Sequence, residues 1–279
     1  MKKFKPITPG SRHRIIITLV TKNSETPFKP LITGLPATGF RNNLGRITVR
    51  HRGGGHKRNF RFIDLFRLNS NHSPFQILRL EKDPNRTGLI ALCKTLNSAE
   101  NLSLKKDVNS VRIKGYKYFY ILAPHNVSPG LIINPALISI GSSIELSKIP
   151  LGTIIHNVQM NATKPGQIAR SAGTYCTVIS HNLKNSSSVI KLPSKKLLEL
   201  PSSNKATIGI VSNILNNRKS LGKAGASRWI GRRPIVRGEV MNPIDHPHGG
   251  KTRGGRPLKN VWGNLAKWVP TSRSLNRIS

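Results

Sequence analysis

Short β-branched and aromatic runs, divided by glycine, proline and asparagine, dominate the middle of the chain. Candidate strands are Asn59–Leu68, Phe75–Leu80, Gly88–Thr95, Val111–Leu122, Leu131–Ile133, Ser142–Glu145, Thr153–Ala162, Thr174–His181, Ser187–Leu192 and Ala206–Ile210. Turn signals between them include Asp83-Pro84-Asn85, Ser128-Pro129-Gly130, Lys164-Pro165-Gly166 and residues 183–185. Short strands with turn signals every ~8–12 residues predict a mainly β protein built of small barrels or sandwiches. Helix is confined to a turn or two near Ser194–Leu200 and around Ile214–Ala226. The polar stretch 97–110 has no strand pattern and reads as a loop insertion. The β pattern is long enough for two barrels, each near the lower size limit for an independent core. The strands divide at Pro124–Pro129, which gives four parts. These are a basic N-terminal extension (1–58), a first barrel (59–126), a second barrel (127–203) and a basic, Gly/Pro-rich C-terminal extension (204–279).

Charge explains why the two ends look unlike the middle. The 279 residues carry 46 Lys and Arg against 10 Asp and Glu, a net charge of +36. Such an excess destabilises a compact state by self-repulsion unless a polyanion neutralises it. Residues 1–60 hold one acid, Glu25, and residues 204–279 hold only Glu239 and Asp245. Flanks this cationic and this poor in apolar residues are expected to order only against their partner. No apolar run reaches the ~18–20 residues that a membrane span needs, and no long basic amphipathic helix is evident. Nucleic acid is therefore the expected partner, bound in a salt-sensitive way. Cys93 and Cys176 lie far apart in apolar, strand-like surroundings and read as small core residues, with no metal site near either.

Four motifs carry candidate chemistry. In RNNLGRITVRHRGGGHKRNFR (41–61), Arg46, Arg50, Arg52, Lys57, Arg58 and Arg61 flank Gly53, Gly54 and Gly55, with His51 and His56 on either side. Glycines let backbone amides approach a phosphate chain, and guanidinium forks grip phosphate oxygens. The stretch has neither GxGxxG nor GK[ST], so it is no nucleotide-binding loop. In QIARSAGTY (167–175), small residues surround Arg170, as suits a hairpin tip reaching a phosphate or a plain β-turn. In KSLGKAGASRWIGRRPIVRG (219–238), Lys, Arg and Gly interleave with Trp229. That indole is placed either to stack on an unpaired base or to anchor an extended tail.

The fourth motif, MNPIDHPHGG (241–250), is a stiffened loop. Pro243 and Pro247 rule out an ordinary helix or central strand, and Gly249 and Gly250 permit a sharp turn or close approach. A catalytic reading makes His246 a general base oriented by Asp245. A metal reading uses His246, His248 and Asp245, but adjacent ligands on such a loop rarely suffice. The simpler reading gives both imidazoles ordinary hydrogen bonds to phosphate, ribose or backbone.

Taken together, these motifs resemble the large-subunit ribosomal protein L2 family in its bacterial and organellar form. Matching stretches run in family order: KPITPGSRH (5–13), GRITVRHRGGGHKR (45–58), DPNRTG (83–88), YILAP (120–124), IPLGTIIHNVQM (149–160) and QIARSAGTY. They continue with ATIGIVSN (206–213), LGKAGASRW (221–229) and GRRPIVRGEVMNPIDHPHGG (231–250). The resemblance implies an OB-like barrel followed by an SH3-like barrel, with long extensions threaded into large-subunit rRNA. It implies a non-enzymatic protein that supports assembly, subunit association and the peptidyl-transferase region, the family histidine for that last role falling on His246. Its expected partners are rRNA, neighbouring ribosomal proteins and the small subunit across the intersubunit face, with no membrane and no small-molecule substrate. No cofactor is expected beyond Mg2+ carried by the rRNA. The matched motifs add Arg86, Lys223, Arg228, Arg232, Arg233, Arg237 and Asn242 to the expected RNA contacts, and Arg253 and Arg256 follow on the same basic segment.

Three features depart from the family pattern. Lys251-Thr252-Arg253 replaces a third glycine and an acidic stretch, Glu239 stands at a usually small position, and the tail after Trp262 is unusual. Family motifs begin near residue 5, leaving no room for a cleaved import sequence, and heavy use of Ile, Asn, Lys and Ser suggests an AT-rich genome. The expected location is the mitochondrial matrix, with a plastid or a bacterial cytoplasm as alternatives.

Overall fold

A computed structural model describes residues 1–18, 26–67, 74–96, 110–113, 116–135, 137–182, 184–250 and 257–266. The chain divides into two units: Met1–Pro36 with Lys57–Lys223 and the last four residues, and Ala37–His56 with Ala224–Leu275. The first unit holds strands β1 (Lys2–Lys3), β2 (Ile15–Ile16), β3 (Ile32–Leu35), β4 (Arg58–Arg61), β5 (Phe75–Lys82), β6 (Leu89–Thr95), β7 (Ser110–Ile113) and β8 (Tyr116–Leu122). It continues with β9 (Ile132–Ile133), β10 (Ser143–Glu145), β11 (Ile154–His156), β12 (Cys176–Asn182), β13 (Ser187–Lys191), β14 (Leu197–Pro201) and β15 (Lys205–Ile208). Short helices α1 (Pro9–Arg12) and α2 (Ala224–Trp229) lie in the flanking segments.

Two curled antiparallel sheets form the bulk of the first unit, in the OB-like then SH3-like order expected, beside the two-stranded pairs β1-β2 and β3-β4. One sheet has the order β7-β8-β6-β5-β9, the other β10-β15-β11-β12-β13-β14. Strand β6 shows why its sequence is a continuous apolar run rather than an alternation. Leu89, Ala91 and Cys93 enter a core with Phe75, Ile77, Phe119 and Ile121. Ile90 and Leu92 face the other way, into a second cluster with Leu31, Ile63 and Tyr120. Both faces are covered, so both lose water. The second barrel encloses Leu146, Ile149, Ile155, Val158, Cys176, Val178, Ile190, Leu198, Leu200 and Ala206. Both cysteines are buried and free, as read from their context.

Several boundaries differ from the sequence pattern. Val111–Leu122 is two paired strands, with Ile113 opposite Tyr116. Ser110 opens β7 instead of belonging to the loop insertion, and the rest of that insertion, 97–109, lies outside the described residues. Residues 194–200 are not helical: β14 pairs with β13, with Leu198 and Leu200 inward and Leu197 outward. Cross-strand packing outweighs the modest helical preference of Lys and Leu. The expected strand Thr153–Ala162 ends at His156 because Asn157 takes a left-handed conformation, φ 51°. Likewise, among the described residues, β4 (Arg58–Arg61) covers only the first three positions of the expected strand Asn59–Leu68, and its partner β3 lies outside every candidate strand. The helical segment Ile214–Ala226 resolves into a 3₁₀ turn, Ile214–Arg218, and then α2. The flanks also make backbone hydrogen bonds among themselves.

Candidate nucleic-acid interface

In the second unit, the Gly53–Gly55 motif and the segment after α2 lie side by side. Gly53 N–H donates to the Gly231 carbonyl (2.9 Å), His56 N–H to Trp229 (3.1 Å) and Arg233 N–H to His51 (3.0 Å). The His51 ring Nδ1 lies 2.9 Å from the Pro234 carbonyl oxygen. Gly55 is required by contact: a Cβ there would sit 2.8 Å from the Gly231 nitrogen. The triple glycine thus meets another stretch of its own chain, not phosphate alone. Upstream, residues 40–48 form a small hairpin, in which Arg41 Nη1 donates to the Gly45 carbonyl at 2.7 Å. Arg46, Arg50, Arg52, Arg228, Arg232, Arg233 and Arg237 are all exposed along this frame. The Arg52 guanidinium lies over the Phe40 ring, 5.5 Å from its centroid. Trp229 closes α2 with 47% of its surface exposed, so it is not a buried anchor.

The loop at 241–250 folds into a tight knot. Asp245 and His246 amides both donate to the Asn242 carbonyl, Gly249 to His246, and Gly250 to Met241. His248 N–H donates to His246 Nδ1 at 3.0 Å, so that nitrogen is an acceptor and the neutral ring carries its proton on Nε2. Lys259 N–H donates to His248 Nε2 at 3.0 Å. That bond makes Nε2 an acceptor; the Pro257 carbonyl, 3.1 Å from the same nitrogen, is its partner only in the tautomer that carries the proton on Nε2. Both imidazoles are buried, their rings 4.9 Å apart. A Cβ on Gly238 would lie 2.5 Å from the His246 ring, and one on Gly249 would collide with the Asn242 carbonyl. Asp245 is exposed, and its carboxylate has no partner among the described residues. It does not orient His246, which removes the general-base arrangement. No group of three metal-ligating side chains occurs among the described residues.

A separate set lies where the two barrels join, within the first unit. The Arg170 motif is tied down: Ala172 N–H donates to Thr87 Oγ1 (3.0 Å), and Gly173 N–H to the Val211 carbonyl (3.1 Å). Asn213 Nδ2 donates to the Thr87 carbonyl at 2.7 Å, and Leu89 N–H to Ser212 Oγ at 3.0 Å. The DPNRTG, QIARSAGTY and ATIGIVSN motifs are therefore one place in space. Arg170 is exposed there. Behind it, Arg67 Nη2 donates to the Gly141 carbonyl, linking the barrels. His156 is wholly buried, with Nδ1 2.8 Å from the Gly209 carbonyl oxygen. Burial pushes its pKa down to about 4, opposed by the Gly209 bond and helped by the Arg67 charge.

With that geometry in place, the comparisons with known proteins decide the family. The model described as "Ribosomal Proteins L2, RNA binding N-terminal domain" matches residues 28–135, and "Ribosomal Proteins L2, C-terminal domain" matches residues 139–267. The chain belongs to the ribosomal protein L2 family. Large ribosomal subunit protein uL2m of Reclinomonas americana is 45% identical over 286 residues, covering 100% of this chain and 96% of its own. Large ribosomal subunit protein uL2 of Wolbachia pipientis wMel is 42% identical, over 98% of this chain and 94% of its own. The counterpart from Parvibaculum lavamentivorans is 41% identical, over 97% and 92%. This L2 protein is a structural constituent of the large ribosomal subunit.

Charge pairing separates two kinds of arginine in this L2 chain. Arg61, read as a phosphate grip, is instead buried, 3.9 Å from Glu81 and 3.6 Å from Asp83. Arg86 Nε holds Asp83 at 3.0 Å, and Arg58 Nη1 donates to the Pro84 carbonyl at 3.3 Å. His56, Lys57, Lys223 and Asn242 are exposed, whereas Arg253 and Arg256 lie outside the described residues. Sequence reasoning missed Gly231 and Gly238, whose spacing gave no sign of the contacts that require them.

Proposed function

We propose that this L2 protein is a primary rRNA-binding component of the mitochondrial large subunit, acting by architecture and not as an enzyme. The observation that carries this reading is the second unit. It sets fourteen lysines and arginines against Glu239 and Asp245, and its described arginines project from a frame closed by backbone hydrogen bonds. RNA contacts fall on Arg46, Arg50, Arg52, Arg228, Arg232, Arg233 and Arg237, with Arg170 at the barrel junction; Arg86, expected among them, is taken up by Asp83. The uL2m relative supports the mitochondrial ribosome as the location. Neighbouring ribosomal proteins, and the small subunit across the intersubunit face, complete the proposed partners. Mg2+ enters with the rRNA.

The His246 knot acts here as a shaped backbone. Both ring nitrogens that accept, His246 Nδ1 and His248 Nε2, are occupied by amides of the same chain. The test is binding of a large-subunit rRNA transcript across a salt series. Each phosphate neutralised on a duplex contributes ~0.9 to the slope of log affinity against log salt, so a steep slope is expected. Salt-independent binding would overturn the reading. For His246→Gln reconstituted into particles, the expected outcome is impaired assembly or subunit joining with an unaltered chemical step. A pH-shifted chemical step in normally assembled particles would restore the catalytic alternative.

A further inference from the structure

The segment leading out of the first barrel carries an apolar face that the fold leaves exposed. Strand β9 ends the sheet order β7-β8-β6-β5-β9, with Ile132 opposite Gln76 and Ile133 opposite Phe75. Ile133 is buried in the first core, whereas Leu131 and Ile132 are exposed. The chain then doubles back. Leu137 N–H and Ser142 Oγ both donate to the Asn134 carbonyl, at 3.3 and 3.0 Å, and the Ser139 and Ser142 hydroxyls lie 2.8 Å apart. Gly141 seats this turn on the core, since a Cβ there would meet Ile133 Cδ1 at 2.6 Å. The polar groups of the loop are thus bonded to one another, while Leu137, Ile138 and Ile140 are exposed. Ile132, Leu137 and Ile138 each show more than half of their surface.

Charge is missing here and abundant elsewhere. Asp, Glu, Lys and Arg make up 20% of the chain, yet none occurs between Lys117 and Glu145. That stretch offers phosphate no cation, so an RNA backbone gains nothing from it. Contiguous exposed aliphatics mark a surface for another protein, because the centre of a protein contact is likewise depleted of charge. The rest of the chain limits which protein. At a net charge of +36, a second copy or another basic protein is repelled and an acidic one is drawn in.

We infer that residues 131–140 form a docking face for the aliphatic surface of an acidic protein neighbour in the large subunit. The face lies within the first unit and uses none of the arginines assigned to RNA. The inference rests on the chain's place in the large subunit, reached above. Because the Asn134–Ser142 bonds hold the loop in shape before contact, little ordering entropy is lost on docking.

The experiment uses the full-length Ile138→Cys chain, free and assembled into large subunits. Cys93 and Cys176 are buried, and burial pushes both thiols up, so a maleimide reaches only the introduced thiol. That thiol should react in the free chain and lose its reactivity in the particle. Ribonuclease digestion should leave it protected, because the cover is protein. A photo-cross-linking side chain at position 137 should couple, in the particle, to an aliphatic segment of an acidic protein. Leu137→Asn combined with Ile138→Asn should remove that protein from the particle, with the unfolding midpoint of the barrels and the salt slope for rRNA unchanged. The docking face is overturned if the thiol stays reactive in the particle, if ribonuclease exposes it, or if the cross-link falls on rRNA or a basic protein. Retention of the acidic protein by the double variant overturns it too. So does a dimer of the free chain that the double variant abolishes, or protection that arises only on vesicles of cardiolipin and phosphatidylcholine. Failure of the wild-type chain to enter particles would instead count against the rRNA-binding reading itself.

Discussion

The arginines of the first barrel and those of the second unit carry the same group to opposite ends. In the barrel, Arg61, Arg79 and Arg86 meet Glu81 and Asp83, and Tyr120 also donates to Glu81 at 3.0 Å. There a guanidinium stabilises the fold, because removing it takes a partner from a buried carboxylate. In the second unit, Arg232, Arg233 and Arg237 are exposed, and the unit has almost no acid to meet them. There a guanidinium adds self-repulsion that no nearby carboxylate relieves. Arginine content alone does not separate the two sets; the distribution of acids does.

The largest expected effect falls on the paired set. Arg61→Ala should destabilise the first unit by about 3 kcal/mol, since it removes the buried guanidinium between Glu81 and Asp83 and leaves them only the part-exposed Arg79 and Arg86 as cationic partners. Denaturant unfolding checks this, and a loss under about 1 kcal/mol would erase the distinction between the two sets. The next effect belongs to His156. Its folded pKa lies below its unfolded value, so the unfolded chain binds more protons as pH falls. Stability should be complete above pH ~6.5 and fall between there and pH ~4, by about 3 kcal/mol. The denaturant midpoint across that range measures it. In His156→Asn the fall should flatten, although the starting stability is lower.

Smaller effects test the unpaired set. Gly238→Ala pushes a methyl into the His246 ring and should weaken rRNA binding while the barrels keep their unfolding midpoint. Arg233→Ala or Arg237→Ala should move stability by no more than about 0.5 kcal/mol. Each should lower the salt slope by ~0.7–0.9. An Arg233→Ala protein with an unchanged slope would show that this side chain faces no phosphate.

Much of the fold was legible because the β pattern is local. Runs such as Leu89–Thr95 declare themselves through residue type, and turn glycines and prolines divide them. What escaped was set at long range. Leu197–Pro201 reads as helix until β13 lies beside it, and Ile32–Leu35 reads as nothing until β4 does. The interface was legible in its residue types for the same reason that the motifs are compact. Which arginines are occupied was not legible, because Arg61 and Arg86 acquire their carboxylates only once β5 and the turn after it are folded. Nor was the knot at 241–250: the sequence offers Asp245 as the partner of His246, whereas the fold supplies the His248 amide.

The bond between His51 and Pro234 spans 183 positions of sequence. During synthesis the earlier half of that frame leaves the exit tunnel long before the later half exists. At ~5–20 residues per second, the interval is about ten to forty seconds. The two barrels are already complete when residues 224–250 emerge, so the frame closes last. A nascent or truncated chain therefore offers folded barrels and an unclosed Gly53–Gly55 segment. Order of emergence alone delays the arginine-bearing frame until the chain is nearly finished.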